Sequence, residues 1–374
     1  MIAIRELRAD RLRIPFRRPF PTATGMWLER ETWVLRLVDA DGRIGLGEAV
    51  LDADAGDVAD TILAALIREA VTDATTDGLP SRGALELHGA AGRALNAALE
   101  SARTDLERDG PPPVLMPDAD GVGVNATLPS LGPDAVAEAA RQAIESGFAT
   151  LKVKAGAERE TEVLVERVAA IRRAVGPDVR LRLDVNGAWD AATAEDRLEA
   201  IARFGIEYVE QPLPALDVEG LATLRRRVRV PIAADEAVTS VAAARELVEA
   251  DAVDALVVKP VRVGGASAAG EIADLAARRG VPVIVSTLFE TGIGIAAALS
   301  IAAVLPEVDR GGGDGPDHGL ATAGLLEHDL LAASLLVEDG RMFAPLGPGS
   351  GGLGVALEER ALDRFRVDAV GVAG

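Results

Sequence analysis

The sequence predicts an α/β protein in which an N-terminal α+β capping domain precedes a modified (β/α) barrel of the TIM type. Three observations predict this fold: short apolar runs alternate with helical stretches over the second half of the chain, strands precede helices in the first part, and a proline-rich connector separates the two. The chain has 374 residues, enough for about two domains, and 49% of them are hydrophobic, so a sizeable core can form.

The beginning of the chain has the pattern of a small α+β unit. Apolar and polar residues alternate over 2–14 and 32–50, and the Asp-Gly pair at 41–42 is a hairpin turn signal. Apolar residues then recur at spacings of three and four over 56–77 and 84–109, which indicates amphipathic helices. We therefore expect a sheet that is covered by helices.

A proline-rich connector marks the domain boundary. Three prolines at 111–113 cannot continue a helix and stiffen the chain. The predicted capping domain covers 1–110, and the C-terminal segment, about 335–374, returns to it. The predicted barrel covers 118–334 and carries the catalytic site.

Seven runs in the second part have the composition of buried strands, and helical stretches separate them. An eighth strand is expected around 317–322, where the apolar signal is weak, after a glycine-rich stretch at 311–315 to which we assign no role. This order indicates a parallel barrel. The seven runs are 121–128, 149–155, 179–186, 206–212, 230–236, 254–260 and 281–287.

Charged and polar residues interrupt these runs near their C-terminal ends, at intervals of about one βα unit. Active sites of TIM barrels lie on that face. An unpaired charge inside a barrel costs several kcal/mol, so its recurrence at strand ends indicates a site. The residues are Lys152, Lys154, Asp184, Glu210, Asp235, Lys259 and Ser286.

The three acids among them come from successive strands and are predicted to converge. Without a partner they would repel one another, and Mg²⁺ prefers this kind of all-oxygen ligand set. Cysteine is absent and only three histidines occur, which argues against thiolate or histidine-rich metal sites. The alternative is that these acids cap the helices that follow them. This explanation would suit a single acid, but it suits less well three acids at the same position of successive βα units.

Lys152 and Lys154 are two residues apart on one strand, so both point to the same face. A lysine that is partly desolvated beside a second cation has a lowered pKa, and we therefore expect a general base here. Lys259 approaches from the opposite side of the barrel. The alternative is a solvated lysine pair at a frayed strand end.

Five ordered motifs carry a family resemblance: LKVKAG, RLDVNG, YVEQPLP, IAADEAV and VVKPVRVGG. Together they resemble the enolase superfamily, muconate lactonizing enzyme subgroup. The resemblance implies a Mg²⁺ cofactor, with Mn²⁺ as an alternative, held by Asp184, Glu210 and Asp235. It also implies that Lys154 is the general acid/base with Lys152 behind it, that Lys259 is the second acid/base or cation, and that Asn186 and Glu236 support the site.

The shared chemistry of that subgroup is abstraction of a proton next to a carboxylate. Three stretches, 15–37, 286–294 and 318–331, resemble o-succinylbenzoate synthases. This resemblance implies dehydration of 2-succinyl-6-hydroxy-2,4-cyclohexadiene-1-carboxylate in menaquinone biosynthesis. N-acylamino-acid racemase, dipeptide epimerase and muconate-type cycloisomerase remain alternatives, although an Asp-x-Asp expected of dipeptide epimerases at the eighth strand is missing. A barrel that binds a carboxylate without turning it over is a remote alternative.

Four residues are candidates for substrate contacts: Ser286, Glu290, Trp27 and Arg30. Trp27 and Arg30 lie in a segment that is expected to fold over the barrel mouth. The alternative is that Trp27 only packs against its neighbours and that Arg30 is solvated. The expected partner is a small-molecule carboxylate.

The composition argues against other partners. The formal charge of −20 repels phosphate backbones, so nucleic acid is not expected. No signal peptide or long uncharged apolar segment is recognisable, so we expect a cytoplasmic protein without membrane contact. Assembly into a homo-oligomer is left open.

Overall fold

The computed structural model describes residues 3–22, 25–52, 55–74, 78–116, 119–306, 315–345 and 351–371. The predicted barrel start at Asp118 and residues 311–314 of the glycine-rich stretch lie outside the described residues. The strands are β1 (Ile4–Thr22), β2 (Gly25–Asp39), β3 (Ile44–Ala49), β4 (Val122–Gly123), β5 (Ala126–Leu128), β6 (Thr150–Lys154), β7 (Arg180–Asp184), β8 (Ile206–Glu210), β9 (Ile232–Ala234), β10 (Ala255–Val258), β11 (Val283–Val285), β12 (Leu336–Glu338), β13 (Arg341–Phe343) and β14 (Arg366–Val370). The helices are α1 (Gly56–Asp73), α2 (Arg82–Glu86), α3 (Gly89–Glu107), α4 (Pro133–Glu145), α5 (Thr161–Val175), α6 (Ala191–Ile201), α7 (Val218–Arg227), α8 (Val241–Glu249), α9 (Pro260–Val263), α10 (Ala266–Ala277), α11 (Gly292–Ala302) and α12 (Glu359–Phe365).

The first part of the chain and the C-terminal strand β14 together form a four-stranded antiparallel sheet, the capping sheet, in the order β14-β1-β2-β3. Helix α3 packs against β3 so closely that a Cβ atom at Gly45 or Gly47 would lie 2.0 Å from the carbonyl oxygen of Ala102 or Ala98. Only glycine allows this approach. The helical stretch predicted at 84–109 is interrupted, because α2 ends at Glu86 and α3 begins at Gly89.

The second part is a curled parallel sheet of seven strands in the order β11-β10-β9-β8-β7-β6-β5, with helices between successive strands. Alternate residues of each strand pack under these helices, as Leu151 and Val153 of β6 do. The mixed α/β class, with a curled parallel sheet beside an antiparallel one, confirms the predicted fold.

The predicted eighth strand is not a regular strand. It makes two isolated bridges, His318 to Val124 and Gly319 to Ser286, which connect the two edges of the curled sheet. Side chains reinforce this closure, because the carboxylate of Asp317 accepts 2.6 Å hydrogen bonds from Thr150 and Arg180. Gly, Pro and Asp in the stretch 315–322 are poor strand formers, so side chains replace a continuous ladder.

The C-terminal part of the chain adds β14 to the capping sheet and forms a further three-stranded sheet in the order β12-β13-β4. β14 pairs with β1, whereas β13 pairs with β12 and with β4 next to the barrel. The division into 1–110 and 118–334 remains our proposal. In the described residues, no helix combines the length and the apolar character that a membrane span requires.

His318 makes barrel closure sensitive to acid. Its Nδ1 accepts a 2.9 Å hydrogen bond from the backbone N–H of Val285, and burial lowers its pKa to about 3. The unfolded chain takes up this proton near pH 6.5, so the stability that neutral His318 contributes is lost as the pH falls below that value. Between pH 7.5 and pH 5 we expect a loss of about 2 kcal/mol from this group.

The test is urea unfolding of the wild type and of His318→Asn at both pH values. The amide oxygen of Asn can accept the Val285 hydrogen bond but does not titrate. The pH-dependent loss should therefore be about 2 kcal/mol smaller in the variant. Equal pH dependence in the two proteins would contradict the assignment.

Candidate active site

The C-terminal ends of β6, β7 and β8 place charged side chains side by side. Parallel pairing aligns Lys154 with Asp184 and Asp184 with Glu210. Asp235 directly follows β9, and Lys259 directly follows β10. The structure therefore puts five of the predicted residues at one end of the sheet, with lysines on either side of the acids.

Each of the three acids is paired with lysine. Asp184 Oδ2 accepts a 2.7 Å hydrogen bond from Lys154 Nζ and lies 3.1 Å from Lys152 Nζ. Lys152 Nζ also donates to both carboxylate oxygens of Glu210, at 3.2 and 3.3 Å. Asp235 Oδ2 accepts a 2.7 Å hydrogen bond from Lys259 Nζ. All three acids are buried, so these pairs are shielded from water.

The pairing gives the acids different proton affinities. Burial raises the pKa of Asp184, but the ammonium groups of Lys154 and Lys152 outweigh it and hold that pKa below its ordinary value. Burial and the charge of Asp184 raise the pKa of Glu210. Burial lowers the pKa of Lys152, yet Glu210 and Asp184 together raise it well above its ordinary value. The expected lowering of the lysine pKa is therefore wrong for Lys152, because neighbouring carboxylates dominate its surroundings.

The donor set fits a hard divalent cation. Asp184 Oδ1 is buried and has no hydrogen-bond partner, and the same holds for Glu236 Oε2. Such oxygens are strong ligands for Mg²⁺. Among the described residues, no three Asp, Glu, His or Cys side chains already stand in an arrangement that would hold a metal ion.

Asn186 and Glu236, which are expected to support the site, form a hydrogen-bonded chain behind Lys154. Asn186 Oδ1 accepts a 3.1 Å hydrogen bond from Lys154 Nζ, and its amide nitrogen donates to Glu236 Oε1 at 2.9 Å. Asn186 has a φ of 51°, a left-handed conformation that Asn adopts more readily than most residues. The turn after β7 thus directs the Asn186 amide toward Lys154.

Sequence reasoning missed three residues of the site. Arg262 donates to Asp235 Oδ1 at 2.7 Å and also binds Asp52 of the capping sheet's loop. Gln211, with a φ of 42°, accepts hydrogen bonds from the backbone N–H groups of Asp235 and Ala237. Arg262 and Gln211 lie inside quoted motifs and could have been found there, whereas Asp52 lies outside all five motifs.

The candidate substrate residues lie in different surroundings. Ser286 donates a 3.3 Å hydrogen bond to the carbonyl of Gly319 and so takes part in barrel closure. Trp27 packs edge-on against Phe289, with ring centroids 6.4 Å apart. Arg30 is buried, donates to the carbonyl of Leu51 at 2.8 Å and lies 5.2 Å from the Trp27 ring. The solvated alternative for Arg30 is therefore wrong.

Glu290 is buried where the loop after β11 meets the capping sheet. Its carboxylate accepts a short hydrogen bond from the backbone N–H of Leu288. Burial and the charge of Glu48 raise its pKa to about 7, and Arg30 offsets this only in part. Glu290 therefore carries a proton over much of the pH range below neutrality.

We expect Glu290→Gln to stabilise the protein above pH 7. The raised pKa favours the folded state while Glu290 is protonated, and this advantage is lost as the pH rises from about 4.5 through 7. Ionised Glu290 should cost about 3 kcal/mol at pH 8, a cost that the amide avoids. Urea unfolding at pH 4.5 and pH 8 measures this, and an equal pH dependence of wild type and variant would contradict it.

Comparisons with known proteins agree with this geometry. A family model described as "Enolase C-terminal domain-like" matches residues 135–361, more than half of the chain. An o-succinylbenzoate synthase from Thermobifida fusca (strain YX) is 43% identical over 221 residues, which cover 59% of this chain and 65% of that protein. The alignment thus spans slightly less than two thirds of this relative.

Two solved structures cover nearly the whole chain. A muconate lactonizing enzyme from Pseudomonas fluorescens, complexed with muconolactone, has a TM-score of 0.81 at 24% identity and covers 98% of this chain and 99% of its own. A dipeptide epimerase from Enterococcus faecalis V583, complexed with Mg and the dipeptide L-Leu-L-Tyr, has a TM-score of 0.76 at 25% identity and covers 95% of this chain and 99% of its own.

The fold, the polar strand ends and these matches define the class of protein, an enzyme of the enolase superfamily. The chain belongs to the enolase C-terminal domain-like family. Its relatives include o-succinylbenzoate synthases, and it shares its fold with a muconate lactonizing enzyme.

Proposed function

We propose that this protein is a Mg²⁺-dependent o-succinylbenzoate synthase that dehydrates 2-succinyl-6-hydroxy-2,4-cyclohexadiene-1-carboxylate in menaquinone biosynthesis. The observation that carries the proposal is the position of Lys154 and Lys259 on either side of three buried acids at one end of the parallel sheet. The 43% identity to a synthase supports this reaction among those of the subgroup. Mn²⁺ is the alternative cofactor.

Each residue of the site has its own role in the proposed reaction. Asp184, Glu210 and Asp235 hold the cation, which when bound neutralises negative charge that develops on the substrate carboxylate. Lys154, in its neutral form, removes the proton from the carbon next to that carboxylate. Lys154 thereby becomes an ammonium group, which then donates a proton to the departing hydroxyl, so that water leaves and the ring becomes aromatic. Lys259 stays protonated and stabilises the developing charge from the other side.

The charge of the site favours binding of the cation before the substrate. Five acids face four cationic side chains, which leaves one net negative charge when all are ionised. A divalent cation reverses that sign, and a carboxylate substrate is then attracted. The acids are Asp52, Asp184, Glu210, Asp235 and Glu236, and the cationic residues are Lys152, Lys154, Lys259 and Arg262.

One geometric observation argues against dipeptide epimerisation. Asp317 is the acid of the eighth-strand segment, and it binds Thr150 and Arg180 at the N-terminal ends of β6 and β7. It lies therefore at the end of the sheet opposite the candidate site. The stretch 318–322 contains no acid that could hold a substrate ammonium group.

N-acylamino-acid racemisation is the second candidate function. Racemisation needs one base on each face of the substrate, and Lys154 and Lys259 approach from strands on either side of the acids. In the synthase reaction, by contrast, only one lysine has to accept a proton.

The deciding experiment compares turnover of the cyclohexadiene carboxylate, an N-succinylamino acid, a dipeptide and cis,cis-muconate with added Mg²⁺. We expect the first compound to have the highest kcat/KM and the N-succinylamino acid to exchange its α-proton with deuterated solvent. Faster turnover of muconate or of the dipeptide would refute the synthase assignment.

A further inference from the structure

A loop residue next to the capping sheet, Asp52, is connected to the candidate metal site through Arg262. Asp52 follows β3, and its two carboxylate oxygens accept 2.7 Å hydrogen bonds from Nε and Nη2 of Arg262. Arg262 uses its remaining nitrogen, Nη1, to donate to Asp235 Oδ1 at 2.7 Å and to the Asp235 carbonyl at 2.9 Å. A bidentate pair of this kind fixes orientation as well as charge.

Arg262 therefore competes with any cation for Asp235. Asp235 Oδ1 receives Arg262 while Oδ2 receives Lys259 at 2.7 Å, so both oxygens of this proposed ligand are engaged by cationic groups. The Arg262 side chain is 5% exposed, so water does little to screen its charge. Asp52 supplies the compensating negative charge from the other side.

A second anchor keeps the same segment in place. Glu48, on β3, accepts hydrogen bonds from the backbone N–H groups of Thr291 and Gly294 at the N-terminus of α11, at 3.0 and 2.9 Å. The capping sheet thus contacts the barrel twice within five residues. Loss of the Asp52 charge leaves the Glu48 anchor intact, so an Asp52 variant is expected to keep the loop docked.

We infer that Asp52 is a positioning residue of the capping domain that makes Asp235 available to the divalent cation by holding and neutralising Arg262. The inference rests on the proposed function, because it assigns Asp52 a role in the metal affinity of that same site. When Asp52 loses its charge, the full charge of Arg262 acts on Asp235. Metal binding then becomes weaker although no metal ligand has changed.

Calorimetric titration of MgCl₂ into the full chain without substrate tests this inference. We expect Asp52→Asn to bind Mg²⁺ about tenfold more weakly than wild type, a loss typical of residues that orient a metal ligand. The matched control is Glu271→Gln, which removes an acid from another ion pair between the two parts, Arg82 to Glu271 at 2.6 Å, on the exposed surface. The control should bind Mg²⁺ as wild type does, and thermal unfolding should show all three proteins folded.

A double-variant cycle separates the role of Asp52 from general damage. If Asp52 acts through Arg262, Asp52→Asn should no longer weaken Mg²⁺ binding in an Arg262→Gln background. Equal Mg²⁺ affinity of Asp52→Asn and wild type, or the same loss in both backgrounds, would overturn the inference and leave the proposed function standing. A wild type that binds no Mg²⁺ would refute the proposed function, and this inference with it.

Discussion

Replacement of Lys154 by Ala should abolish turnover of the cyclohexadiene carboxylate, with kcat lowered by about 10³-fold or more. Lys154 Nζ is the ammonium nearest Asp184, at 2.7 Å, and it belongs to the less buried of the two lysines on β6. It is therefore the one with room to approach a substrate. General acid and base roles each contribute about 10²–10⁴-fold, and this residue is proposed to fill both.

Steady-state kinetics together with Mg²⁺ titration distinguishes loss of a base from loss of the site. The alanine variant should still bind Mg²⁺, because Lys154 is not a proposed ligand and its removal takes one of two ammonium groups away from Asp184 Oδ2. The matched control is Lys152→Ala, in which Asp184 keeps Lys154 but Glu210 loses the hydrogen bonds from its ammonium partner. Full turnover by Lys154→Ala would exclude this residue as the base.

Asp184→Asn should lose both Mg²⁺ binding and stability. Asp184 is fully buried, and its Oδ2 serves Lys154 and Lys152 together, so a neutral amide leaves two ammonium groups without their shared counter-charge. Breaking a buried ion pair by removal of one partner costs about 3–5 kcal/mol. We expect a decrease of about that size in the free energy of unfolding, and no measurable turnover.

Urea unfolding and calorimetric Mg²⁺ titration at pH 7 measure the two losses. Asp217→Asn is a suitable control, because Asp217 caps α7 through the N–H of Gly220 and Asn caps a helix about equally well. It changes the same functional group on a neighbouring βα unit. Wild-type Mg²⁺ affinity in Asp184→Asn would contradict the proposed ligand set.

Barrel topology was accessible from sequence because each βα unit repeats one pattern. Five of the predicted runs contain a strand that ends at a charged residue, as with Lys154, Asp184 and Glu210, or directly before one, as with Asp235 and Lys259. A parallel sheet aligns the C-terminal ends of its strands regardless of the details of the helices between them. The spacing along the sequence was therefore sufficient to predict which end of the sheet carries the charged residues. The eighth strand could not be predicted in the same way, because hydrogen bonds from residues as distant as Arg180 and Thr150 hold Asp317 in place.

The sequence by itself determined the seven parallel strands, the end of the sheet that carries charge, and which acids and lysines lie there. These depend on alternation and on the length of one βα unit, both of which are local. Only the tertiary structure decided that Lys152 has a raised pKa and that Arg262 joins Asp52 to Asp235. These outcomes depend on which charges meet in a buried space, and Asp52 and Arg262 are 210 residues apart in the chain.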